Sequence, residues 1–252
     1  MAAILQSKPY QHLPEAMTWL EATDEADYYA IRIPLVSQEG HERLTRLAAA
    51  GLPGLTAGDR AVLAKGVRRV DIGVRTHISS SHQRRHVLRR SLCQPLREAL
   101  RDARRQLLRL YARAASARSR REAFGWIGEA LHLIQDSYSP AHTQRRRGRP
   151  GGPHPIVYIR NFGQGRAPLE HAKPSDARDR VPTGPLNFWA REAVRASRQY
   201  LQLVRRHRRG RLSRRRRRRE LRAFMNRHFL LSRRRREPNS IYRRCRYWPW
   251  RP

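Results

Sequence analysis

The sequence predicts an all-α fold for this chain. In several segments apolar residues recur every three to four positions, as in Leu96, Leu100 and Leu107, and that spacing places them on one face of a helix. No strand alternation of useful length appears, so the body of the chain is predicted to be helical. The 252 residues suffice for one large domain, or for one domain with a tail.

Caps and breakers predict where the first helices lie. Gly51 suits the C-cap of a helix that begins near His41, and Thr56 suits the N-cap of a helix that continues to Gly66. From His82 a long amphipathic helix is predicted, with Pro95 as a kink. Later helices are predicted around Trp189 to Val204 and from about Arg214 to Leu231, with a short extended piece at Ile156 to Ile159.

The charge of the chain is strongly positive and uneven. Lys and Arg number 55 against 20 Asp and Glu, a net charge of +35. The stretch 205–252 alone has 21 Arg and 2 Glu, or +19. Such a charge is far from that of a typical soluble enzyme and predicts attraction to polyanions such as nucleic acid or an anionic membrane surface.

Several classes of protein are disfavoured by what the sequence contains. Cys93 and Cys245 are the only cysteines, so we expect neither a disulfide framework nor a cysteine-based zinc site. No apolar run approaches the roughly 18 residues of a membrane span. The first residues do not have the pattern of a signal peptide, so the localisation is left open: cytoplasmic as the sequence stands, or different if this start is not the natural one. The oligomeric state is left open.

Residues 128–142 hold the clearest candidate site. His132 and Asp136 are four apart in an apolar segment, so both lie on one face of a helix. Pro140 ends that helix, and the following turn brings His142 to the same region. Two His and one Asp are a ligand set suited to zinc. The alternative is that His132 is a core histidine, Asp136 its partner and His142 a loop residue.

Three flanking residues are further candidates. Asp71 lies between Val70 and Ile72, where a carboxylate requires a partner or a metal. His82 and His86 share one face of the first turn of a helix, and only one of them is expected to face inward. His41, at the start of its helix, is as compatible with exposure to solvent as with metal binding.

In order and spacing these residues resemble the zinc-dependent phospholipase C / P1 nuclease family. The family has an early His, an Asp followed about fifteen residues later by a His, a His-x-x-x-Asp, a Pro-x-His, and a final His followed by an acid. The matching positions in this chain are His41, Asp71, His86, His132, Asp136, His142, His171 and Asp176. The resemblance runs roughly from residue 40 to residue 176, and its specific part is 128–142.

The resemblance implies a helical fold around two or three zinc ions, with all eight residues as metal ligands. Asp136 would bridge two ions, and Asp71 would both bind metal and orient the attacking water. The chain departs from the family at two places. Trp19 is too far from His41 to match the family's amino-terminal tryptophan, and Asp176 follows His171 by five residues instead of four. Members of the family are often secreted.

The implied division of the chain is an N-terminal segment (1–36), a hydrolase-like helical domain (37–204) and an arginine-rich extension with one helix (205–252). The predicted function is zinc-dependent hydrolysis of phosphodiester bonds, with nucleic acid slightly favoured over phospholipid because of the charge. The alternative is a catalytically decayed basic protein that binds nucleic acid or anionic surfaces without turnover.

Overall fold

A computed structural model of the protein describes residues 38–71, 83–91, 93–140, 142–161, 186–210 and 212–238. The predicted ligands His171 and Asp176, the residues His82 and Trp19, and the predicted segment 1–36 lie outside these ranges.

The described chain is mostly helical, as predicted. Its six α-helices are α1 (Gln38–Ala49), α2 (Ala57–Arg68), α3 (Leu96–Ser116), α4 (Arg120–Asp136), α5 (Phe188–Arg209) and α6 (Arg214–His228). Every helix in this part of the chain is too short or too polar to span a bilayer.

The predicted caps at Gly51 and Thr56 are confirmed, although α1 begins three residues before His41 and α2 continues two residues beyond Gly66. Gly51 has a φ of +65° directly after α1, a left-handed conformation that glycine adopts at no steric cost. The Thr56 side chain accepts a hydrogen bond from the backbone N–H of Asp59, and the Asp59 carboxylate accepts one from the backbone N–H of Thr56. This capping box satisfies two backbone donors at the start of α2.

The long helix predicted from His82 is wrong before Leu96. Gln83–His86 form a short 3₁₀ helix, the chain after them is irregular, and α3 begins only at Leu96. Pro95 therefore precedes the helix and does not kink it. The reason is that proline has no N–H to donate within a helix, a loss that costs least at a helix start.

A two-stranded antiparallel sheet supplements the helices, which the all-α prediction did not include. Strand β1 (Thr143–Arg145) pairs with β2 (Ile156–Ile159). The extended piece predicted at 156–159 is confirmed. Its partner is three residues long and polar, too short to show the alternation by which strands are recognised.

Helix α4 lies at the centre of the fold, in contact with α1, α2, α3 and α5. Its last ten residues, from Ile127 to Asp136, are all buried. It approaches α2 closely because Gly128 of α4 faces Gly66 of α2. A Cβ atom on Gly128 would lie 2.5 Å from the carbonyl oxygen of Leu63.

Helix α5 runs through the predicted domain boundary at 204/205 and continues to Arg209. Helix α6 packs against α5. The predicted contact residues Leu221, Phe224, Met225 and Phe229 are buried, and Arg214, Arg215 and Arg216 at the start of α6 are exposed.

The two cysteines were expected to form no disulfide framework, and the structure adds that Cys93 is disulfide-bonded. Two cysteines far apart in sequence carry no spacing signal, so only the folded chain shows that Cys93 is oxidised. Cys93 lies between the 3₁₀ helix and the start of α3.

Candidate metal centre

His132 and Asp136 form the base of the site on the last turn and a half of α4. Both side chains are fully buried, and His132 Nε2 lies 2.9 Å from Asp136 Oδ2. The i, i+4 spacing brings them together as expected. Because neither side chain has exposed surface, bulk water does not solvate either group.

Two further side chains approach the Oδ2 side of Asp136. His86 Nδ1 lies 3.1 Å from Asp136 Oδ2 and 3.1 Å from His132 Nε2. Asp71, which follows α2, places Oδ1 3.4 Å from His132 Nε2 and 3.7 Å from His86 Nδ1. Four donors at bond lengths of about 2.0–2.1 Å around a tetrahedral zinc are about 3.3 Å apart. The separations of these atoms fit such a site.

Two other histidines face the second oxygen of the same carboxylate. His41 Nε2, from α1, lies 3.2 Å from Asp136 Oδ1, and His142 Nε2 lies 3.5 Å from it. Each oxygen of Asp136 is therefore faced by two imidazole nitrogens. This arrangement matches the way a carboxylate bridges two cations.

The hydrogen bonds behind these two rings indicate which nitrogen holds the proton. His41 Nδ1 lies 2.8 Å from the side-chain oxygen of Gln135, and His142 Nδ1 lies 2.7 Å from the backbone carbonyl of His86. Both oxygens can only accept, so both Nδ1 atoms donate. In the neutral rings, each Nε2 then directs a lone pair at Asp136 Oδ1, and this buried oxygen receives no hydrogen bond. A cation between these atoms would relieve the repulsion.

The charge balance supports the same conclusion. Burial lowers the pKa of His86 and of His132, so both rings are neutral at pH 7. Burial raises the pKa of Asp136, but the neighbouring imidazoles, when they are protonated, outweigh burial and lower this pKa well below its usual range. The described ion-pair partners of Asp136 are all histidines. A buried carboxylate without a cationic partner is costly, and a metal ion at this position would supply the missing charge.

Gln135 supports the site and was not predicted from the sequence. Its side-chain oxygen accepts the hydrogen bond from His41, and its side-chain nitrogen donates to the Thr45 hydroxyl at 2.9 Å. Outer contacts of this kind fix the tautomer and the orientation of a metal-binding histidine. The one signal in the sequence is a glutamine within an otherwise apolar helical segment.

The loop after His86 holds that residue in place with an unusual backbone. Val87 has a φ of +52°, a strained conformation for a β-branched residue. The backbone N–H of Arg89 donates to the carbonyl of Arg160 at 2.8 Å, and the N–H of Arg160 donates to the carbonyl of His142 at 2.9 Å. The end of β2 thus connects the segments that contain His86 and His142.

Six of the eight predicted ligands therefore converge: His41, Asp71, His86, His132, Asp136 and His142. Two triads among them, His41 with Asp71 and His132, and His86 with His132 and Asp136, have ligand atoms close enough to hold a metal ion. His171 and Asp176 lie outside the described residues. The reading of His132 as an ordinary core histidine explains its contact with Asp136 but not the three other imidazoles around the same carboxylate.

Comparisons with models of protein families, with curated proteins and with solved structures gave no match for this chain. The resemblance to the phospholipase C / P1 nuclease family remains a prediction from the order and spacing of these residues.

Proposed function

We propose that this protein is a metal-dependent hydrolase of phosphodiester bonds, of the phospholipase C / P1 nuclease type. The observation that carries the proposal is the position of Asp136. One of its oxygens faces His86 and His132, and the other faces His41 and His142. A carboxylate between two pairs of imidazoles favours a pair of bridged metal ions over a single structural ion.

The donors present favour zinc. Asp71, His86, His132 and Asp136 would hold one ion, and His41, His142 and Asp136 would contribute to a second. Imidazole nitrogens with carboxylate oxygens suit zinc, and carboxylate-only sites suit magnesium or calcium. Once bound, the ions would act as Lewis acids on the phosphoryl group and lower the pKa of a water to near neutrality.

Asp71 and Asp136 would have different tasks in the reaction. Asp136 would keep the two halves of the site at a fixed separation and supply negative charge between them. Asp71 is buried at the edge of the site, beside His132 and His86. There its carboxylate is suited to accept a hydrogen bond from the attacking water and orient it toward phosphorus.

The choice of substrate is supported by charge. With a net charge of +35, the protein would attract a polyanion over a long range. Nucleic acid is therefore favoured over phospholipid as the phosphodiester substrate.

The test combines metal content with turnover. Purified protein should contain about two zinc ions per chain by elemental analysis and hydrolyse bis(p-nitrophenyl) phosphate. Asp136→Asn should lose the metal and lower the rate by at least about 10²-fold. Asp102→Asn, an equal change at a carboxylate on α3 that pairs with Arg90, should keep both.

A different result would favour the alternative. Wild-type protein with fewer than two metal ions and no turnover, after incubation with zinc, would indicate a basic binding protein on a catalytically decayed scaffold.

A further inference from the structure

A groove lined by arginine lies between α3 and α6, and none of the metal-centre residues lines it. Its volume is about 600 Å³. Arg97, Arg101, Arg104 and Arg105 line it from α3, and Arg222 and Asn226 line it from α6. Arg97, Arg101 and Arg105 recur every fourth residue and are exposed, so they form one row along the helix surface.

The arginine surface continues beyond the groove. Arg222 also borders a second concavity, along the first turns of α6. The other residues that line this concavity are Ser213, Arg214, Arg215, Arg216, Arg218 and Arg219. The two concavities therefore form one surface, called here the arginine groove.

Negative charge is missing from this surface. No Asp or Glu is among the described residues that line either concavity. The nearest acid in sequence, Glu220, lines neither concavity; it binds His207 and Arg206 of α5, and it neutralises one lining residue, Arg216. Burial and the charge of Arg222 lower the pKa of Arg104, so like charges face each other across the groove.

The start of α6 is also unfavourable for so many arginines. A helix N-terminus carries a partial positive charge, and acidic residues usually occupy it. The first turn of α6 has no acidic residue and begins a run of six arginines. Arginines four apart on one helix repel each other. A bound polyanion would remove both penalties.

The groove is not purely ionic. Leu108 and Leu230 line it with 42% and 39% of their surfaces exposed, two of the three large hydrophobic residues that are exposed in the described chain. Proteins that bind single strands combine a positive groove with side chains that contact the faces of the bases. The planar guanidinium of arginine also stacks on bases and binds phosphate through two hydrogen bonds.

We propose that the arginine groove binds single-stranded nucleic acid, with phosphates on the arginines of α3 and α6 and bases against Leu108 and Leu230. A concave surface fits a strand better than it fits a flat membrane. A duplex conceals the faces of its bases, so the apolar part of the groove favours a single strand. This site is separate from the metal centre and does not depend on the hydrolase function.

The test is equilibrium binding of a fluorescent single strand of about 16 nucleotides to the full chain, with a chelator present to prevent cleavage. The groove variant combines Arg101→Gln, Arg105→Gln, Arg218→Gln and Arg222→Gln. The control variant removes four exposed cations outside the groove: Arg46→Gln, Lys65→Gln, Arg118→Gln and Arg121→Gln. Both lose the same charge, and far-UV circular dichroism verifies that both are folded.

The groove variant should bind at least about tenfold more weakly at about 50 mM salt, and the control should bind nearly as the wild type does. The slope of log K against log salt should become shallower by about 0.7 for each phosphate that the groove variant no longer neutralises. An equal weakening in both variants would overturn the proposal, because it would show a general charge effect. An unchanged groove variant would place the binding elsewhere.

Two competitors test the identity of the partner. A duplex of the same length should compete less well than the unlabelled single strand, and stronger competition by the duplex would overturn the choice of a single strand. Vesicles that contain phosphatidylserine should not distinguish the groove variant from the control. If the vesicles do distinguish the two variants, while binding of the single strand is the same in both, the groove is a membrane site.

Hydrolysis of a small diester by the groove variant should stay unchanged, which separates this test from that of the metal centre.

Discussion

Gly66 of α2 and Gly128 of α4 meet backbone to backbone: a Cβ atom on Gly128 would lie 2.8 Å from the Cα atom of Gly66. Asp71 follows Gly66 by five residues, and His132 follows Gly128 by one helical turn. The close approach of the two helices therefore sets how near the Asp71 carboxylate comes to the imidazole of His132.

Gly128→Ala should destabilise the protein by about 1–3 kcal/mol, because the new methyl group overlaps backbone atoms of α2 that cannot yield without moving the helix. It should also weaken zinc binding, since α2 positions Asp71. Gly125→Ala, in the same helix, is the control. A Cβ atom there meets only the end of the Arg69 side chain, at 3.9 Å, so this change should stabilise by about 0.5–1 kcal/mol. Urea denaturation and zinc titration measure both effects. Equal stability of the two variants would mean that the helix contact is not tight.

The division of the Asp136 oxygens between two pairs of histidines predicts a stepwise loss of metal. His41→Ala removes a donor on the Oδ1 side only and should lower the zinc content from about two ions per chain to about one. Asp136→Asn should lower it to near zero. The first ion should still raise the melting temperature of His41→Ala on addition of zinc. If His41→Ala loses all zinc, the two positions are not separable, and a single ion shared by all the histidines would be the better description.

A buried histidine that is not among the proposed metal ligands, His228, predicts sensitivity to acid. Burial and the nearby arginines lower the pKa of His228 from 6.5 to about 3. The ring lies 2.7 Å from the Tyr138 hydroxyl and 2.8 Å from the Gln199 side-chain oxygen. Because the unfolded chain takes up a proton that the folded chain excludes, this contribution to stability is complete above about pH 6.5 and is lost as the pH falls toward 3.

His228→Gln removes this titration. Its melting temperature should be lower than that of the wild type at pH 8, because hydrogen bonds are removed, and should fall less steeply between pH 6.5 and pH 4.5. Thermal denaturation of metal-free protein at several pH values measures the slopes. Parallel slopes would show that His228 is protonated in the folded protein.

Arg89 supports the loop that contains His86. It is fully buried, its guanidinium lies 5.0 Å from the centre of the Tyr158 ring, and its Nε donates to the carbonyl of Ile159 at 2.7 Å. Arg89→Met should cost about 2–3 kcal/mol, because it leaves buried acceptors without donors, and should weaken zinc binding through His86. Arg90→Met is the matched control. It removes a partly exposed pair with Asp102, worth at most about 1 kcal/mol. Similar effects in the two variants would contradict a special role for Arg89.

Local sequence signals were enough for part of the site. His132 and Asp136 could be placed on one face because helical spacing is independent of the rest of the fold. Asp71 was identifiable as a carboxylate between apolar neighbours. The caps at Gly51 and Thr56 were predictable for a similar reason, since each depends on a few adjacent residues.

The remaining features depend on contacts between distant segments. The position of His86 could not be predicted from α-helical spacing, because this residue lies in a 3₁₀ helix. Contacts with the end of β2 hold that helix and the strained backbone of Val87 in place. The role of Gln135 depends on His41, 94 residues away. The two oxygens of Asp136 face different pairs of histidines because four segments of the chain meet at this point. No local sequence pattern encodes that meeting.

The disulfide at Cys93 makes the protein sensitive to the redox conditions around it. Cys93 lies seven residues after His86, between the loop of the metal centre and α3. Disulfides persist in oxidising compartments and are reduced by glutathione and thioredoxin in the cytosol. The Cys93 disulfide would therefore persist in an oxidising compartment and would be reduced in the cytosol. Under reducing conditions the loop after His86 would lose a covalent constraint, so zinc affinity would depend on the thiol redox balance around the protein.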